Sequence, residues 1–286
     1  MTARQDRPTF RVASHMLAIV AVLTLSFLLE LTLLGGLRQA RDQAQDATQL
    51  RNELARATAP VSALDQGGHP LPSATPVGLL EIPRLGLRQI VVEGTSSNAL
   101  MSGPGHRRDT PLPGQAGASV IAGRQTAYGG PFRSIGRLHP GDAIQVITGQ
   151  GRNTFAVLGV RHAGDPLPPT LSPGQGRLTL VTSDGPAFRP TDVLRVDARL
   201  TTDTQPAGVA LSSSALPAAE VVMAGDGSAL SAVVAWAALV LVAALGTVWV
   251  RHSTGRWQAW VIGVPVLATL GLTAADEIVA MLPNLL

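Results

Sequence analysis

Apolar residues follow two patterns along this chain, and the change between them divides it. Near each end they run together without interruption. Residues Gly227 to Val250 are 24 positions without a charge, and Trp257 to Ala275 are another 19. At 1.5 Å per residue, such stretches are long enough as helices to cross a hydrocarbon core about 30 Å thick. Pro265 interrupts the second, which a membrane helix tolerates where neighbouring groups repair the lost hydrogen bond. A third apolar segment, Met16 to Leu37, carries one charge, Glu30, near its outer end, where a carboxylate can reach the interface. It is long for a signal peptide, and no small-residue cleavage site follows it, so it is expected to remain as an anchor.

The middle of the chain reads differently. Short β-rich runs at Gly78–Ile82, Gln89–Val92, Ser119–Ala122, Ala143–Thr148, Thr154–Val160, Leu178–Thr182 and Val193–Leu200 are separated by Gly and Pro. Many short strands with turn signals between them predict an all-β barrel or sandwich. The segment before them, Arg38 to Ala59, is rich in Arg, Gln, Ala and Asp and predicts an exposed helical stalk. Residues 60–76 and 201–226 have linker composition.

Charge adds an orientation. Arg4, Arg7 and Arg11 precede the first apolar segment, and Arg251, His252 and Arg256 fill the loop between the last two. Basic residues favour the cytoplasmic side. The expected order is a cytoplasmic N-terminus (1–15), a transmembrane helix (16–37), and a stalk and linker (38–76). A β domain (77–200) and a second linker (201–226) follow. Two further transmembrane helices (227–250 and 257–282) flank a cytoplasmic loop (251–256). Three spans place the β domain outside the plasma membrane of a multi-pass protein.

Composition narrows the chemistry. Only 14% of residues are charged, as apolar spans require. The high isoelectric point of about 10.7 comes from a small Arg excess in a chain with no Lys, no Cys and one Tyr. Residues 38–226 intersperse 17 Arg with 15 acids, so no basic stripe points to nucleic acid. Zero Cys excludes disulfides, thiolate nucleophiles and Cys-ligated metal.

Four motifs then occur in order: GLLEIPRLGLRQIVVEGTS, GPGHRRDTPLPGQAGASVIAGR, GGPFRSIGRLHPGDAIQV and RLTLVTSDG. Across Val77–Leu200 this series resembles the sortase family of bacterial cell-surface transpeptidases. The resemblance implies a closed eight-stranded β-barrel in a bacterial envelope of Gram-positive type, with no cofactor and no catalytic metal. It also implies a Cys nucleophile that attacks a peptide carbonyl, a His acid–base, and an Arg that stabilises the oxyanion.

By that resemblance Ser183 stands in the Cys position, in LTLVTS, and Arg124 in the His position, in AGRQ. Arg189 is the nearest candidate for the third residue, while the strict offset falls near Val193. A hydroxyl needs a positioned general base, and a guanidinium stays protonated and cannot serve as one. His106, Tyr128 and His162 are candidates to line a binding cleft. His106 and His162 are also the histidines that could rescue Ser183. The expectation is a catalytically impaired, sortase-like membrane protein that binds an extended peptide, a wall component or another membrane protein. The competing expectations are an active transpeptidase or hydrolase using Ser183, and a structural membrane-assembly protein.

Overall fold

The computed structural model describes residues 17, 20–21, 24–65, 67–225, 227–253 and 256–286. Eight strands close into a barrel: β1 (Pro76–Ile82), β2 (Leu87–Glu93), β3 (Gly105–His106), β4 (Gly117–Ala122), β5 (Ala143–Thr148), β6 (Gly151–Arg161), β7 (Gly176–Asp184) and β8 (Asp192–Leu200). The order around the barrel is β1-β2-β3-β4-β7-β8-β6-β5. Neighbours are antiparallel except β2 with β3 and β4 with β7. Alternation sorts the side chains. Leu178, Leu180, Val196 and Ala198 point into the interior with Leu80, Ile82, Ile121, Ile144, Val146 and Phe155.

The sequence expectation of a closed barrel holds, and each of the seven predicted runs lies in a strand. The eighth strand, β3, has two residues, too few for any periodicity to register. It exists because Gly105 lets the chain approach β2: a Cβ there would collide with the Gly94 carbonyl. His106, next in β3, is fully buried. Its Nδ1 lies 2.9 Å from Glu93 Oε2, and its Nε2 lies 3.1 Å from the Pro111 carbonyl. The Thr110 hydroxyl lies 3.2 Å from the same Nε2, so both ring nitrogens have partners and the ring is tied to Glu93 inside the fold.

The segment expected to be an exposed stalk is helical, but it is docked. Helix α1 (Gly35–Ala55) buries Gln39 and Leu50. Gln39 Nε2 donates to Gln89 Oε1 at 2.7 Å. Gln43 accepts from the Ile90 N–H at 2.6 Å and donates to the Ile90 carbonyl at 3.1 Å and the Ser102 carbonyl at 2.9 Å. The Gln43 amide thereby pairs the stretch of β2 that the two-residue β3 leaves open. A short helix, α2 (Ala99–Ser102), lies beside it.

Both expected linkers also fold down. Ala63 N–H donates to the Val209 carbonyl, and Leu211 N–H to the Arg108 carbonyl. The Thr95 hydroxyl donates to the Glu220 carbonyl at 2.7 Å, and Glu220 Oε1 lies 3.3 Å from Arg108 Nε. Burial holds the Glu220 carboxyl above its ordinary range, against the pull of Arg108. The compact unit is therefore residues 34–227 together with 282–286.

A second compact unit contains α3 (Leu230–Ser253) and α4 (Arg256–Met281). Within it Val240 and Ala244 pack on Leu267, and Gly263 allows a close approach at Thr247. Pro265 lies inside α4, where the Thr269 hydroxyl donates to the Pro265 carbonyl at 2.9 Å. Leu239, Leu241, Val242, Leu245 and Trp249 stay exposed, as do Trp257, Val261 and Ile262.

Residues Leu230–Arg251 and Val261–Met281 are long and apolar enough to cross a membrane. Among the described residues the expected N-terminal span is not one of these helices. Part of Met16–Leu37 lies outside the described residues. The described part is a helix that opens into a π-helical turn at Glu30–Leu34 and runs on into α1. Glu30, expected at an interface, is fully buried.

Candidate functional site

The outer face of β4, β7 and β8 carries the cleft. Alternation along β7 puts Ser183 on this face, opposite the side that fills the barrel. The parallel register pairs Ala122 with Val181, so two residues further on Arg124 is level with Ser183. The Gly123 N–H donates to the Val181 carbonyl and the Thr182 hydroxyl to the Gly123 carbonyl at 2.8 Å, which extends the pairing past the end of β4. Gly123 is required there because a Cβ would meet the Phe132 ring.

Ser183 is 1% exposed. Its hydroxyl lies 3.1 Å from Gln125 Oε1 and 2.9 Å from the Leu285 carbonyl. The Gln125 amide is oriented by its Nε2, which donates to the Gly185 carbonyl at 3.1 Å. Both partners of Ser183 are acceptors, so its single proton is shared between them. Neither can take that proton as a general base.

The other sequence candidates stand apart from this hydroxyl. Arg124 is fully buried and donates through Nη2 to the Ser97 hydroxyl at 2.7 Å and the Ser97 carbonyl at 2.9 Å. Its guanidinium carbon sits 5.2 Å from the centre of the Tyr128 ring, a cation–π stack. No carboxylate pairs with Arg124 among the described residues. Burial pulls its guanidinium down to about 10. Tyr128 is itself fully buried, with a left-handed backbone of φ 49.

His106 is committed to Glu93 and Pro111, as described above. His162 Nδ1 lies 2.7 Å from Asp184 Oδ2. Asp184 follows Ser183 directly in β7, so its side chain leaves the opposite face of the strand. His162 and Asp184 therefore do not assemble a triad with the Ser183 hydroxyl. Arg189 is exposed in the turn between β7 and β8, where its N–H donates to the Pro186 carbonyl.

The register pairs Ser183 with Val193, the strict-offset position, and Val181 with Arg195. Arg195 is thus the diagonal neighbour of Ser183 on the cleft face, about 7–8 Å away by backbone spacing. The sequence reading did not single out Arg195, although the two-residue strand period places it on the same face as Val193.

Residues 282–286 also belong to the site, which no motif suggested. Leu285 is fully buried in an apolar cluster with Leu100, Ala122 and Val181, and Val193, Val222 and Met223 pack against it. Its carbonyl accepts from the Gln125 N–H at 3.0 Å as well as from Ser183, and the Leu286 carbonyl accepts from the Ala127 N–H at 3.2 Å. Among the described residues no group of three His, Asp or Glu side chains is placed to hold a metal ion.

The fold and the site define a class: a closed eight-stranded barrel whose β4–β7–β8 face holds a chain segment over Ser183. Residues 80–201 match the family model described as the sortase domain. Over 124 residues the chain is 26% identical to Sortase D of Bacillus subtilis (strain 168), which covers 43% of this chain and 52% of that relative. The chain thus spans about half the length of the curated relative it matches.

Among solved structures, sortase E from Streptomyces avermitilis is 30% identical, with 48% of this chain and 93% of that chain covered and a TM-score of 0.40. The Clostridium perfringens Sortase D5 transpeptidase is 19% identical, with 57% and 99% covered and a TM-score of 0.46. Through its barrel domain, the chain belongs to the sortase family. It contains no Cys.

Proposed function

We propose that this protein is a membrane-anchored, non-catalytic sortase-family protein that uses its cleft to bind a peptide segment. The observation that carries the reading is the state of Ser183. Its one proton is directed at two acceptors, and the residue in the family's His position is a buried guanidinium turned toward Ser97 and Tyr128. A serine so placed is a donor to a peptide carbonyl. Gln125 and Ala127 add backbone N–H groups on the same side, and the apolar cluster adds a place for a Leu-sized side chain.

On this reading α3 and α4 cross the membrane as a hairpin, and Met16–Leu37 is a third crossing. The barrel then stands outside the plasma membrane of a bacterial cell, with the basic ends inside. Peptides, wall components and membrane proteins are the partners such a cleft could reach.

The test is active-site labelling of the full-length protein in detergent with a fluorophosphonate. We expect no more labelling than in Ser183→Ala. Labelling that Ser183→Ala abolishes would establish a nucleophilic serine and end the non-catalytic reading.

A further inference from the structure

The occupant of the cleft is a piece of this chain, and its contacts are those of a ligand. Asn284, Leu285 and Leu286 are 1%, 0% and 6% exposed. The Asn284 N–H donates to the Ala224 carbonyl at 2.9 Å, and its Nδ2 donates to the Thr95 carbonyl at 2.8 Å and the Val221 carbonyl at 3.0 Å. The Leu286 N–H returns to the Pro283 carbonyl at 3.0 Å, which closes a turn and presents the Leu285 carbonyl to Gln125 and Ser183.

Each wall of the groove meets one kind of group. The loop at 221–224 and Thr95 read an amide, the Leu100–Val181 cluster takes a Leu side chain, and Ser183 with Gln125 takes a carbonyl. Chain path allows this seat in a membrane. On the topology proposed above, two crossings by α3 and α4 return the chain to the side of the membrane from which it left the barrel.

We propose that residues 282–286 are a resident, displaceable ligand of the cleft. The groove is built for a Pro-Asn-Leu-Leu type of segment and accepts another peptide of that chemistry only when its own is withdrawn. This rests on the reading of the cleft as a peptide groove, and it adds the chemical class of the ligand and a closed resting state. Asn284 is the specificity element, because its side-chain amide donates to the buried Thr95 carbonyl and to the Val221 carbonyl, which a Leu or Ala would leave without that donor.

The absence of cysteine makes the test clean. Ser183→Cys in the full-length chain, in lipid nanodiscs, carries a single thiol beneath Leu285. With the segment seated, maleimide alkylation should be slower by roughly tenfold or more than in the same chain lacking residues 282–286. Added Leu-Pro-Asn-Leu-Leu peptide should protect the shortened chain again, and Leu-Pro-Ala-Leu-Leu should protect it less. Asn284→Ala and Leu285→Asp in the unshortened chain should also speed alkylation, which covers the case in which the shortened chain does not fold.

Equal alkylation rates in all of these chains would overturn the proposal, as would failure of the peptide to protect a folded shortened chain. Fluorophosphonate labelling of Ser183 in the shortened chain would instead overturn the non-catalytic reading and leave the occupancy result standing.

Discussion

Arg124 is the residue whose energetics are least like those of its neighbours. Its guanidinium is fully buried without a carboxylate, and burial lowers its proton affinity to about 10. The folded state therefore holds this proton less tightly than the unfolded chain does. At neutral pH the charge costs the fold on the order of 3 kcal/mol, a cost relieved only as pH rises past about 10. Arg124→Met keeps most of the volume and removes the charge. It should leave thermal stability unchanged or raise it by about 1 kcal/mol, net of the two bonds lost at Ser97. Arg124→Ala should lower it by about 2–4 kcal/mol through the cavity left above Tyr128. Thermal melts of the two variants, followed by far-UV circular dichroism, separate a tolerated charge from a packing role.

At the same scale, His106→Ala should cost about 3–5 kcal/mol, because it leaves Glu93 buried and unpaired. That Ser183 and Arg124 lie side by side was legible in the sequence, because each sits at the end of a strand-like run whose register the barrel fixes. Gln125 was in view but had no assignable role, since nothing in AGRQ says that the Gln amide would turn toward Ser183. Leu285 was invisible, because its partner at Ser183 is 102 residues away.

Among the elements, α1 differs most from its sequence reading. A polar helix with a weak apolar stripe predicts solvent on all sides, and only Gln39, Gln43 and Leu50 reveal the docked face. Gln43 there does the pairing that an adjacent strand would otherwise do for Ile90. Gln43→Leu should lower stability by about 2 kcal/mol, the cost of leaving a buried N–H and C=O unpaired, as measured by chemical denaturation. Gln43→Glu cannot rescue it, since a carboxylate offers no donor to the Ile90 carbonyl.

The same helix carries Asp46, half-buried one turn beyond Asp42. Burial first, and the Asp42 charge second, raise its carboxyl from 3.8 to about 6. A folded value above the unfolded one means that stability falls as pH rises from about 4 through 6. Asp46→Asn should therefore stabilise the protein above pH 6, by about 1 kcal/mol or less after solvent screening, and give no gain at pH 4. Melting temperatures at the two pH values check both halves.

The strands were legible because their alternation is local. The linkers were not, because they are held by backbone-to-backbone bonds such as Ala63 to Val209, which any composition can make.

For the whole molecule, the family segment and the folded unit differ in extent. The match covers residues 80–201, while the compact unit runs from 34 to 227 and takes in 282–286. Composition divides the chain into barrel and apolar ends, and it places the boundary where the strands stop. The fold places it further out, where the last backbone groups find partners. All four Trp lie in residues 236–260 and the only Tyr is Tyr128, so the two units carry separate optical signals. Tyrosine emission should change when the cleft is emptied, while tryptophan emission should not.

The Gln43 contact has a practical consequence for the search for partners. A bait trimmed to the matched segment would lack α1 and bare the middle of β2, an unpaired strand edge of the kind that recruits foreign chains. It would come out of a screen with companions that the intact protein never meets, and it would self-associate at high concentration. Hits that survive when the bait begins before Gly35 and keeps Leu286 are the ones that report on biology.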